Sequence, residues 1–108
     1  MTNERGLLGL AFLILLHGCA GVAAVQATSR LEQYVRCNSD NAMRRASSAG
    51  DPTILAIEAE AACAGERRAL ERVYQRTVGA EQARELLYGV RQAAIASNAT
   101  TIMTNGVR

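Results

Sequence analysis

The chain has 108 residues, enough for one domain at most. It carries 12 basic and 10 acidic side chains, a formal net charge of +2, and each of the 12 cations is an arginine. So small a charge excess, with no Trp and a single Phe (Phe12), argues against nucleic acid as a partner, since such binders concentrate basic charge and offer aromatic rings for stacking.

The first 27 residues read as an apolar export segment. Met1 to Arg5 is a short polar start in which Glu4 offsets Arg5, and Leu7 to Leu16 is an uninterrupted apolar stretch of signal-peptide length. Small residues follow, and three outcomes stay open. Val25-Gln26-Ala27 places small side chains at the two positions a signal peptidase tests, which allows cleavage after Ala27. Leu16-His17-Gly18-Cys19 resembles a lipobox, which implies lipidation of Cys19, although His17 stands where a small residue is usual. If the segment is retained, Gly6 to Ala27 is close to the roughly 20 residues needed to cross a bilayer, and it would bring the chain into contact with a membrane. Each outcome places the protein in the periplasm or cell envelope of a bacterium. His17, the only histidine, ends the apolar stretch and would be lost on either cleavage, so it reads as part of the address.

From residue 28 to residue 108 the sequence predicts an all-α domain, rich in Ala, Arg, Glu and Leu, with no sustained period-two alternation. A first helix is expected over 29–46, with Leu31, Tyr34, Val35, Asn38 and Ala42 on one face and Arg44 and Arg45 against its negative end. Ser47 to Gly50 is a break. Asp51-Pro52 is the clearest start signal in the chain, because Asp can cap free backbone N–H groups and Pro suits the first helical position. A second helix is expected over 52–76. Its stripe is Leu55, Ala59, Ala62, Cys63, Leu70 and Val73, and Ile54, Ile57 and Ala61 on the other side predict a more completely buried first half. A third helix is expected over 80–98 with the stripe Ala83, Leu87, Val90 and Ala94, followed by a polar tail expected to fray.

Cys37 and Cys63 each lie 13 residues from Gly50. A chain folded back at Gly50 into an antiparallel hairpin, rising about 1.5 Å per residue, brings both sulfurs to nearly the same height. The small residues Ala59, Ala61, Ala62 and Ala64 allow the close backbone approach that a bridge needs. The spacing therefore predicts a Cys37–Cys63 disulfide, with a pair of buried free thiols as the alternative. Neither cysteine belongs to a Cys-x-x-Cys redox motif. The architecture expected is a disulfide-linked antiparallel helical hairpin plus a third helix, preceded by the apolar export helix.

An aromatic residue just before one cysteine and a second cysteine in an Ala-rich stretch (Tyr34, Cys37 and Ala61-Ala62-Cys63-Ala64) resembles the pattern of small exported bacterial proteins of unassigned activity. The resemblance covers about 35 residues and implies a helical hairpin in the envelope. In compartment, size and cysteine pair the chain is also similar to the small lipoproteins of conjugation systems.

Few residues offer chemistry. Glu66 interrupts the stripe between Cys63 and Leu70, and pairing with an arginine at the edge of the core is expected for it. Arg68, Arg72 and Arg76 follow at i,i+4 as a ridge, with Arg67 nearby, able to meet anionic head groups or an acidic partner. Tyr74 and Tyr88 are the natural anchors for a docking helix. No catalytic residue, metal site or cofactor is expected. The expectation is a non-enzymatic exported envelope protein, a structural or interaction accessory that binds an unknown protein or itself. The alternative is a lipidated or membrane-anchored factor whose arginine ridge contacts anionic lipid or an acidic partner.

Overall fold

A computed structural model describes residues 3–106, with side chains from Ala24 onward. Residues 1–23 of the expected export segment, with His17 and Cys19, have side chains that lie outside that description. The described residues form four helices and no strand: α1 (Asn3–Arg45), α2 (Pro52–Ala61), α3 (Ala64–Val78) and α4 (Ala80–Gly106). Among the described residues no helix is long and apolar enough to cross a membrane.

The turn between α1 and α2 forms where the sequence marks it. Gly50 takes φ 140°, a backbone region that side chains disfavour. The Asp51 carboxylate accepts from the N–H groups of Thr53 (2.8 Å) and Ile54 (3.4 Å), and Pro52 opens α2. From there α2 and α3 run back along α1. Gly79, at φ 86°, then reverses the chain into α4. α4 lies parallel to α1, with a register offset of 60 residues between Asn38 and Asn98. The same offset recurs at Ala46 and Gly106, where a Cβ on Gly106 would stand 2.7 Å from the Ala46 carbonyl oxygen.

Several sequence expectations need correction. The helix expected over 52–76 is two helices: Ala62 and Cys63 form a turn, and the Cys63 N–H bonds to the Glu60 carbonyl (2.9 Å) in the tighter i→i−3 pattern. At this turn the Cα of Cys63 lies 5.9 Å from that of Cys37 on α1. The tail expected to fray is the last part of α4. Asn98 and Ile102 continue the stripe from Ala94 at four-residue steps and are buried. The outer side of α2 faces outward: Ile54 and Ile57 are 57% and 49% exposed, because α2 turns Leu55, Ala56 and Ala59 inward instead. Val35, expected on the inner face of α1, is also exposed, and so is Ala62.

Two apolar clusters result. Ala42, Leu55, Ala56, Ala59 and Ile102 pack near the α1–α2 turn, supported by Ile95 and Ala99. Tyr34, Cys63, Leu70 and Leu87 pack further along, supported by Leu31, Tyr74 and Val90. Three buried polar side chains, Asn38, Glu60 and Asn98, accompany them.

Candidate functional site

The four helices bring Cys37 and Cys63 to disulfide distance, with Cα atoms 5.9 Å apart. Cys37 comes from the inner face of α1 and Cys63 from the residue that precedes α3. Asn41, one turn after Cys37, donates its Nδ2 toward both sulfurs, at 3.5 Å from Cys37 Sγ and 3.7 Å from Cys63 Sγ. Cys63 is fully buried, whereas Cys37 borders a surface crevice of about 360 Å³ that Arg36, Asp40, Arg44 and Glu66 also line.

Glu66 makes no ion pair among the described residues, contrary to expectation. The paired carboxylate is Glu60, 1% exposed at the end of α2. Arg67 Nη1 donates to both of its oxygens, at 2.6 Å from Oε2, and Arg91 Nε donates to Oε1 at 2.8 Å. An unpaired buried carboxylate would cost several kcal/mol, so the two guanidinium groups make this position tenable. In sequence Glu60 looks like one more solvated charge of its helix. The signal that distinguishes it is spacing: it lies four residues after Ala56 and three before Cys63, both buried.

Beside this cluster stands Tyr34, fully buried, with no hydrogen-bond partner for its hydroxyl among the described residues. Burial, and secondarily the Glu60 charge, pushes its phenol up to about 12. Burial also raises Tyr74. Asn38 Nδ2 donates to the Tyr34 carbonyl (2.9 Å), and Asn98 Nδ2 donates to Asn38 Oδ1 (2.9 Å) and the Ala56 carbonyl (3.3 Å). One amide, from the edge of the segment expected to fray, thus ties α4 to both α1 and α2.

Arg68, Arg72 and Arg76 lie together on the exposed side of α3 and make no ion pair among the described residues. Arg67 leaves the ridge for Glu60. Tyr88 is exposed on α4, but Tyr74 is half-buried against the second apolar cluster. Ala27 lies within α1 and is half-buried. Between α1 and α4 runs a groove of about 460 Å³ with Leu31, Val35, Val90, Ala94, Ser97 and Thr101 in its walls. No protein-family model, curated protein or solved structure matches this chain.

Proposed function

We propose that the chain is an exported, non-enzymatic protein of a bacterial envelope, a disulfide-stapled helical body serving as a structural or interaction accessory. The observation that carries this reading is the Cys37–Cys63 pair at disulfide distance in a chain whose first 27 residues read as an export segment. Disulfides persist in oxidising compartments, and small bodies with modest cores rely on them. Two further observations support it. The buried carboxylate is held by two arginines, which suits a structural role. Exposed apolar side chains on α2 and α4 (Ile54, Ile57, Leu86 and Tyr88) suit contact with a protein partner or a second copy.

The test is expression of the full chain in a bacterium with an outer membrane, followed by fractionation and intact mass. Recovery from the envelope fraction is expected, and recovery from the cytoplasm with both thiols open to alkylation would overturn the reading. The same mass distinguishes cleavage after Ala27, lipid on Cys19 and retention of the whole segment.

Arg68, Arg72 and Arg76, exposed and without an ion pair among the described residues, support the second reading, a membrane-held factor whose ridge meets anionic lipid. Sedimentation with vesicles containing phosphatidylglycerol tests it. Salt-sensitive binding that Arg68→Gln, Arg72→Gln and Arg76→Gln together abolish is expected, and binding unchanged by the three substitutions would rule the ridge out.

A further inference from the structure

We propose that in the reduced chain Cys37, Cys63 and Glu66 form a binding site for a thiophilic divalent cation such as Zn²⁺. The two sulfurs and a Glu66 carboxylate oxygen all lie within 4.8 Å of one another. Cys63 and Glu66 belong to one turn at the start of α3, while Cys37 is delivered by α1. Thiolate sulfur and carboxylate oxygen are both ordinary zinc ligands, with Zn–S near 2.3 Å and Zn–O near 2.0–2.2 Å. A tetrahedral ion would hold the sulfurs about 3.8 Å apart, a separation that χ1 rotation can reach with the Cα atoms at 5.9 Å. The crevice beside Cys37 admits water to the fourth position.

Asn41 Nδ2, which donates to the Cys37 carbonyl at 2.9 Å, also points toward both sulfurs, at 3.5 and 3.7 Å, and Cys63 is the N-cap residue of the 15-residue α3. Two thiolates and one carboxylate bring three negative charges to a doubly charged ion; Arg36 and Arg44 border the same crevice, together with Asp40, and the two guanidinium groups outnumber that carboxylate. Glu66 thereby gains a role that its place in an apolar stripe left unexplained: it is free of ion pairs among the described residues and within reach of both sulfurs.

The redox step balances with a dithiol reductant. The dithiol gives two electrons and two protons to the S–S bond, producing two cysteine thiols and its own disulfide, and metal binding then releases the two thiol protons to solvent. The bridge and the metal are alternatives at one locus, and both close α1 against the start of α3. The inference does not rest on the export reading, because it concerns the reduced chain wherever that chain is found.

The test uses the full chain, reduced and kept free of oxygen, titrated with Co²⁺ alone and then with Zn²⁺. Saturation at one Co²⁺ per chain is expected, with thiolate-to-cobalt charge-transfer absorption and tetrahedral d–d bands that Zn²⁺ abolishes. The oxidised chain is expected to show neither. Glu66→Gln, which leaves both cysteines in place, is expected to weaken Co²⁺ binding about tenfold or more while keeping the sulfur bands. Absence of binding, one ion shared by two chains, or an affinity unchanged in Glu66→Gln would each overturn the proposal. Glu66→Gln keeps both cysteines and so is the deciding variant. An export test that failed would leave this result standing, and the converse holds as well.

Discussion

The two ends of the helical body are held by different means. Near the α1–α2 turn, Ala42, Leu55, Ala56, Ala59 and Ile102 close on one another with small aliphatic side chains, and the Asn98 amide ties three helices together. At the other end, Tyr34, Leu70 and Leu87 gather around Cys63, with the pair to Cys37 and the Glu60 cluster beside them. The first end is ordinary packing over short side chains. The second combines a covalent link, a buried charge and an unpartnered phenol. Stability at the second end is therefore conditional on redox state and pH in a way that stability at the first is not.

Replacing both cysteines by serine should break the second end most severely. The pair spans 26 residues, and the chain-entropy account assigns such a loop about 3–4 kcal/mol. Urea unfolding of the double variant, compared with the oxidised parent, measures the loss. Ile102→Ala reads the first end, where truncating a buried aliphatic side chain costs about 3 kcal/mol. Combined with the cysteine replacements, its cost should add to within about 0.5 kcal/mol, since the two sites belong to different clusters. Strong coupling in that cycle would mean that the ends are one unit. Arg67→Met is expected to cost about 2–3 kcal/mol in the same urea measurement, because it leaves the buried Glu60 carboxylate with Arg91 alone.

The smallest effect expected is that of Tyr34→Phe, which removes a buried hydroxyl without a partner and should change neutral-pH stability by under about 1 kcal/mol, in either direction. Its signature lies at high pH. The folded phenol titrates near 12 and the unfolded one near 10. The unfolded state therefore loses the proton first, and the Tyr34 contribution is complete below pH 10 and lost as pH rises toward 12. Denaturation curves from pH 9 to about 11.5 should show a steeper loss in the parent than in Tyr34→Phe, and parallel curves would place the phenol elsewhere.

Much of the helical framework is legible in the sequence because it rests on strong signals. Gly50 and Asp51-Pro52 mark the turn by backbone chemistry, and the equal spacing of Cys37 and Cys63 about Gly50 sets their common height. The break at Ala62–Cys63 carries no Gly or Pro, so no local signal in the sequence marks it. The buried face of α2 is hard to read because Ile54 and Ile57 look more apolar than Ala56 and Ala59, yet the inner face takes Leu55 with those two alanines. Asn98 and Glu60 are hidden for a related reason. Polar residues at stripe positions read as solvated until their partners are placed: Asn38 lies 60 residues from Asn98, Arg91 lies 31 from Glu60, and Arg67 reaches Glu60 from beyond the α2–α3 break.

The central claim is that Cys37 and Cys63 are joined in the protein where it works. The most direct measurement is nonreducing peptide mapping by mass spectrometry of the full chain produced in a bacterium, with free thiols alkylated before lysis. The account predicts that the peptides containing Cys37 and Cys63 are recovered linked to each other. Recovery of both as separate, alkylated peptides from the envelope fraction would contradict it.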